Sequence, residues 1–477
     1  MINSISKNIA SNKRRLDAEL IVDDNFDIIN RKITIGEKEC CLYFVDGFVK
    51  DEILEKLMEF FAHLKKEDVE CTPEEFQDKL LPYGEVDLVD KMDTVITRIL
   101  SGVTCLLVDG YEKVLVIDCR TYPARNVEEP DKDKVMRGAR DGFVETLVSN
   151  TALIRRRIRN PNLIMQMMEV GSSSHTDIVV CYMKDRVEEK LLSNIIDKIK
   201  KIKIDALTMS QESLAECMYK GSWFNPFPKF RYTDRPDAVA ASVLEGKVVI
   251  IVDNSPSVMI LPATIFSIME ESADYYFPPI TGTYLRLSRI IINIIALVLT
   301  PIFVLFMQHP DWIPKGLEFI RITDTINIPI IFQLLILEFV IDALKLAALN
   351  TPSMMTTPFS VVAAFILSDF AVSSGWFNSE VMLYMAFVAI ANYSQVSYEL
   401  SYALKFMRIF LLIITGLFSQ WGFIVGILLT TCAIIFNRTV TGYNYIYPLI
   451  PFDFRVLMKH LFRVTLPASE KAGNQKF

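Results

Sequence analysis

The chain has 477 residues, 50 Lys+Arg against 57 Asp+Glu, and a formal net charge of −7. Residues 286–477 hold 13 of the cations and 10 of the anions, which leaves 37 and 47 for residues 1–285. So acidic an N-terminal part excludes a general nucleic-acid binder, which needs basic surface to displace counterions, and 285 residues are enough for two compact domains.

The first thirty residues are polar and lack the apolar run and small-residue cleavage site of a secretory signal, so the soluble part is expected to stay in the cytosol. The cysteines (Cys40, Cys41, Cys71, Cys105, Cys119, Cys181, Cys217 and Cys432) mostly fall in apolar, strand-like runs without CxxC spacing. They read as reduced packing residues, neither zinc ligands nor a disulfide framework.

After this polar segment (1–35), residues 39–45 suit a strand and Asp46–Gly47 a turn. Ile53, Leu54, Leu57, Met58, Phe61 and Leu64 recur at helical spacing. A second amphipathic segment, Leu88 to Leu100, stops at Gly102. The runs 103–108 and 114–119, separated by Asp109–Gly110, predict a hairpin. These elements make a small α/β domain over 36–130.

A polar connection opens the second α/β domain, 131–285. A helix through Phe143, Leu147 and Ile154 ends in Arg155, Arg156, Arg157 and Arg159, cations that complement the helix dipole and read as a solvated or subunit-bridging face. Strands are expected at 163–169, 177–183 and near 202–208, with a helix through Val187, Leu191, Ile195 and Ile199. Thr233 can cap a helix from Asp234 to Leu244, and 248–252 with 258–261 make a hairpin across Asp253–Pro256. Asp253 and Ser255 could be taken for a catalytic pair, but turn residues explain them and no histidine lies in that segment. Phosphate-binding, dinucleotide-binding, zinc-protease and serine-hydrolase motifs are absent from the sequence. The reading is therefore no enzyme, no metal and no cofactor.

Ile290–Met307 (IIINIIALVLTPIFVLFM) is uncharged, and at about 1.5 Å per helical residue it nearly crosses a bilayer core. Arg286 and Arg289 precede it as cytoplasmic anchors. Further spans are expected at 327–349, 380–398 and 409–436, and a short apolar element at 359–372 is too brief to cross comfortably. With four spans, Arg286, Arg289, Lys345, Arg438, Arg455, Lys459 and Arg463 lie inside, and Lys315, Arg321, Lys405 and Arg408 outside. Five spans move Lys405 and Arg408 in and the basic tail out, so cation counting favours four. A multi-pass helical membrane domain, 286–440, is thus followed by a cytoplasmic tail, 441–477. The fold class is two α/β cytoplasmic domains followed by an α-helical multi-pass membrane domain.

Glu338, Asp342 and Lys345, at i, i+4 and i+7, share a face of the second span. Such charges must face protein or water. One reading pairs Asp342 with Lys345 and bonds Glu338 to the helix bearing Asn392. The other has Glu338, Asp342, Lys345 and Asn392 line a pore, most simply between copies of a homo-oligomer, since so few spans enclose little space. No internal repeat of the membrane segments is visible, which argues against a solute transporter.

Several stretches resemble the GerA family of spore germination proteins, A-subunit type. They are Val135–Met136–Arg137–Gly138, Asp141–Gly142–Phe143–Val144–Glu145, Asn150 to Ile158, Thr233 to Asp237, Val252–Asp253 with Ser255–Pro256, Ser397 to Leu400, and Pro448 to Phe452. Asn254, Ser257 and Thr281 to Arg286 are more similar to its stage V sporulation branch than to nutrient-receptor subunits, and Val396 stands where relatives commonly have proline. The resemblance implies a protein of the spore inner membrane whose subunits assemble into an oligomeric channel releasing monovalent cations. Implied partners are membrane lipid and other germination membrane proteins, among them the dipicolinate-transporting SpoVA proteins, whose germination signal it would amplify. The alternative is a non-conducting scaffold coupling signals to SpoVA proteins.

Overall fold

The computed structural model describes residues 3–81, 83–123, 139–219, 224–350 and 369–463. They form two compact units, one of residues 3–219 with 230–262, the other of 224–229 with 263–463. Residues 135–138 and most of the short apolar element at 359–372 lie outside the described residues.

The first unit carries two five-stranded antiparallel sheets. In the first, β1 (Ile28–Ile35), β2 (Lys38–Val45), β3 (Val86–Val89), β4 (Thr104–Val108) and β5 (Val114–Ile117) lie in the order β1-β2-β4-β5-β3. One face packs on α1 (Ile9–Leu20) and α3 (Met92–Leu100), through Leu16, Leu20, Val95 and Ile99. The other face is covered from α2 (Asp51–His63) by Leu57 and Phe61. The N-terminal segment that reads as a polar lead-in therefore supplies α1 and an edge strand. Its polar residues sit on the exposed positions of β1, while Ile28 and Ile35 are buried at its ends. Leu88 belongs to β3, and α3 starts only at Met92.

In the second sheet, β6 (Leu163–Val170), β7 (Thr176–Met183), β8 (Arg231–Thr233), β9 (Val248–Val252) and β10 (Val258–Leu261) lie in the order β6-β7-β9-β10-β8. Its helices are α4 (Leu147–Arg157), α5 (Glu189–Lys200) and α6 (Pro236–Leu244). Residues 202–208 form no strand; the edge place is taken by β8. Thr233 ends β8, and its Oγ1 accepts from the Arg235 amide (3.2 Å) without capping α6.

The second sheet repeats the first strand for strand, and a set of its bonds recurs. Asp109 Oδ1 accepts the Ile9 amide that opens α1 (3.1 Å), and Asp253 Oδ1 accepts the Leu147 amide that opens α4 (3.2 Å). The Asn12 side chain brackets the backbone of Ser6 from both sides, as Asn150 brackets Val144. Gly110 N donates to Lys7 O and Asn254 N to Glu145 O; Ile5 N donates to Asp90 O and Phe143 N to Asp234 O. Residues 90–114 align with 234–258 without a gap, matching Asp90, Asp93, Val95, Leu100, Gly102, Val108, Asp109 and Val114 to Asp234, Asp237, Val239, Leu244, Gly246, Val252, Asp253 and Val258. Gly102 and Gly246 both adopt positive φ, at +91° and +89°. The unit is a tandem of one module. Asp253 is thereby explained as a helix-capping residue, and Asp253→Ala and Asp109→Ala should each cost ~1 kcal/mol, read as similar drops in melting temperature.

Arg155 joins the modules. It is 0% exposed and grips Asp27 (1% exposed) through Nε–Oδ2 (2.7 Å) and Nη2–Oδ1 (2.9 Å), with Nη1 on Leu163 O (3.0 Å). The expectation of a solvated basic face is therefore corrected at this residue. Arg157 bonds Asp141, and Arg156 stacks on the Tyr122 ring.

Burial pushes the Cys40 and Cys181 thiols up to about 12 and Cys41 to about 11. Only the thiolate reacts, so iodoacetamide at neutral pH should leave these cysteines unmodified in the folded protein and alkylate them in denaturant.

Candidate functional site in the helical unit

The second unit is built on long apolar helices: α7 (Pro279–Gln308), α8 (Ile330–Asn350), α9 (Ser379–Tyr393) and α10 (Tyr398–Ile435), followed by the short α11 (Phe454–Leu461). α7 is long and apolar enough to cross a membrane, as is α10 counted from end to end; α8 carries three charges, and α9 is shorter. α7 begins at Pro279, eleven residues before the uncharged run, and α10 begins at Tyr398, eleven before its expected span.

Paired contacts fix the helix directions. Arg408 meets Ala296, Gln308 meets Gly416, and His309 meets Ser419, so 398–418 runs parallel to α7. Glu338 meets Arg408 and a Cβ on Gly416 would strike Ile331, so α8 runs antiparallel to 398–418. Gln333 bonds Asn378 while Lys345 lies over the Tyr393 ring, so α8 and α9 run the same way. Residues 351–368, between these two helices in sequence, lie outside the described residues.

The expected single last span is corrected as well. At Ser419 (φ 52°, ψ −132°) α10 leaves helical geometry. A Cβ on Gly422 would strike the Ile414 carbonyl, and one on Gly426 would strike Leu411. In a continuous helix residues 411 and 426 would stand about 22 Å apart, so the chain reverses here, and 398–418 and 420–435 form an antiparallel hairpin. Glycines at 422 and 426 allow the two arms to approach closely.

At mid-height four helices converge on charge. Glu338 (2% exposed) takes Arg408 Nε on Oε1 (2.7 Å) and Nη2 on Oε2 (3.0 Å). Arg408 (0% exposed) spends Nη1 on Ala296 O (3.0 Å) and on Asn392 Oδ1 (3.4 Å). Lys405 Nζ donates to Glu338 O (3.1 Å), lies 3.5 Å from Glu338 Oε2, and pairs with Asp342 Oδ2. Lys345 lies over the rings of Tyr393 (4.9 Å) and Tyr402 (5.4 Å).

Glu338 and Asn392 thus point into the bundle, bonded to its other helices. Asp342, whose side chain is about one third exposed, and half-buried Lys345 stand toward its surface. Asp342 takes Lys405 as its partner, where an internal pair with Lys345 had been the alternative. Lys405 and Arg408, which cation counting placed in an outside loop, are the buried counter-charges of the site. Two carboxylates against two cations leave the core neutral, with Lys345 in excess. Asp342 Oδ1, Asn392 Nδ2, Asn293 Oδ1 and Thr300 Oγ1 are buried without a hydrogen-bond partner.

A second cluster holds the start of α7. Arg289 forks onto Asp274 (2.8 and 3.1 Å) and reaches Glu271 (2.8 Å), while Arg286 bonds Glu270 (3.3 Å) and the Lys459 carbonyl (2.8 Å). These expected anchors are neutralised ion pairs as well as cations before the apolar run of α7. Arg463 N donates to Thr283 Oγ1 (3.1 Å), so the tail and the first turns of α7 share one end of the bundle. Among the described residues no group of His, Cys, Asp or Glu suits a metal.

A family described as Bacillus/Clostridium GerA spore germination protein matches residues 17–474. Stage V sporulation protein AF of Bacillus subtilis (strain 168) is 36% identical over 468 residues, covering 98% of this chain and 94% of its own length. Spore germination protein KA of the same organism is 28% identical over 477 residues, covering 98% and 86%. Among solved structures, the N-terminal domain of the A subunit of the Bacillus megaterium spore germinant receptor GerK3 covers 56% of this chain and 98% of its own at 23% identity, with a TM-score of 0.40.

Proposed function

Because this chain belongs to the GerA family of spore germination proteins, we propose that it is a multi-pass protein of the spore inner membrane, with its paired α/β modules in the cytoplasm. Copies of it assemble into a channel that passes monovalent cations and promotes or amplifies germination. The observation that carries this reading is the charged stripe of α8, whose outer members Asp342 and Lys345 stand at the bundle surface, where a neighbouring copy would meet them. Glu338 and Asn392 act one layer behind: with Arg408 and Lys405 they lock the helix that presents Asp342. A ring of Asp342 carboxylates, one per copy, concentrates cations, and Lys345 toward the α8 C-terminus tempers the field.

The self-neutralised core favours one second reading, a scaffold that couples germination signals to SpoVA proteins without conducting. Charge selectivity separates the two. Asp342→Asn in reconstituted protein should lower cation over anion permeability while leaving assembly intact; an unchanged permeability ratio would remove Asp342 from the path.

A further inference from the structure

Residues 449–463 hold a two-faced segment. In α11, Phe454, Leu457, Met458 and Leu461 recur at i, i+3, i+4 and i+7 and make one apolar stripe, with Arg455 and Lys459 side by side on the adjoining flank. The opposite flank is anchored to protein. The His460 ring lies 5.9 Å from that of Phe266, Arg286 Nη1 donates to Lys459 O, and Arg463 Nη2 donates to Tyr275 O (2.6 Å). Gly282 admits the Arg463 side chain, which a Cβ would meet at 2.7 Å.

The segment is thus fixed beside the first turns of α7, at the end of a helix long and apolar enough to cross a bilayer. Much of its apolar surface is open: Phe454 is 62% and Phe452 67% exposed, and Leu449, Ile450 and Phe462 are exposed too, while Leu457, Met458 and Leu461 are half-buried. Residues 449–463 carry Arg455, Lys459 and Arg463 against one acid, Asp453, which caps α11 through the amides of Arg455 and Val456, so the segment is cationic by composition.

We propose that this segment is a lipid-binding surface that lies in the plane of the bilayer, its apolar stripe at the acyl boundary and Arg455 and Lys459 on the phosphates of anionic lipid. Three observations choose this occupant: continuity with the entry of α7, an apolar stripe flanked by cations in the manner of interfacial helices, and a charge sign that matches anionic headgroups. A two-fold contact with a second copy would set cation against cation. The inference rests on the reading that α7 to α10 cross a bilayer.

The test uses the full chain with Cys71, Cys217 and Cys432 replaced by serine and a spin label introduced by Phe454→Cys, or by Ile294→Cys in the middle of α7. Each is reconstituted in phosphatidylcholine vesicles with and without phosphatidylglycerol. With phosphatidylglycerol, the label at 454 should become several-fold more accessible to oxygen relative to a water-soluble nickel chelate. Arg455→Gln with Lys459→Gln should abolish that gain. A label at 454 that stays nickel-accessible in both lipids, while the label at 294 is oxygen-exposed, would overturn the surface. Equal oxygen exposure in both lipids would overturn its preference for anionic headgroups. Nickel access at both positions would overturn the bilayer reading, and this proposal with it.

Discussion

Arg408→Met should destabilise the helical unit by about 3–5 kcal/mol, the usual cost of leaving one buried charge without its partner. Glu338 would keep a single cation, Lys405, at 3.5 Å, and would lose both arms of the guanidinium fork. The Ala296 carbonyl and Asn392 Oδ1 would lose their donor at the same stroke. Because Arg408 reaches α7, α8 and α9 from α10, the loss falls on the packing of all four helices at once. Arg408→Lys should recover little, since an ammonium cannot fork. The double variant Glu338→Leu, Arg408→Leu should fall well short of the single loss, because no uncompensated charge remains. Melting temperature in mild detergent and the yield of monodisperse protein both read this series. An Arg408→Met protein as stable as the parent would mean that Glu338 is not held as described.

The second large effect belongs to the joint between the α/β modules. Arg155→Ala leaves Asp27 buried without its counter-charge and should cost about 3–5 kcal/mol. Its other bonds, to Leu163 O and Asn25 Oδ1, tie the start of β6 to the approach to β1, so the modules should also lose their fixed register. Limited proteolysis of the full chain should then separate the two modules faster than in the parent. Asp27→Ala with Arg155→Ala should be less damaging than Arg155→Ala alone. Equal damage would indicate that the charge pair adds nothing beyond packing.

Both residues show where sequence reading stops. Arg155 sits among four arginines near the end of a predicted helix, and that pattern describes Arg156 and Arg159, which are exposed, well enough. The partner of Arg155 lies 128 positions earlier, beyond the range of any local pattern. Glu338, Asp342 and Lys345 were legible as one helical face by spacing alone. Their counter-charges were not, because Lys405 and Arg408 precede the long apolar run and look like loop cations, whereas α10 starts at Tyr398 and carries them into the bundle.

The hairpins of β4–β5 and β9–β10 announced themselves through turn residues. The tandem of modules did not, although Asp90, Asp93, Gly102 and Asp109 recur 144 positions on. Eight matches in twenty-five gain meaning only once Asp109 and Asp253 are seen to make the same bond. The reversal at Ser419 had no local signature beyond the glycines at 416, 422 and 426, which apolar helices also use for close packing.

Conduction by the assembled chain can be measured directly. Purified full-length protein, sized as an oligomer in mild detergent, is reconstituted into potassium-loaded liposomes, and efflux is followed with a potassium electrode. The account predicts potassium release that scales with protein and that falls in the Asp342→Asn variant at equal incorporation. Vesicles holding correctly assembled protein that stay as tight as protein-free ones would contradict the channel, and leave the chain as a membrane scaffold of the germination machinery.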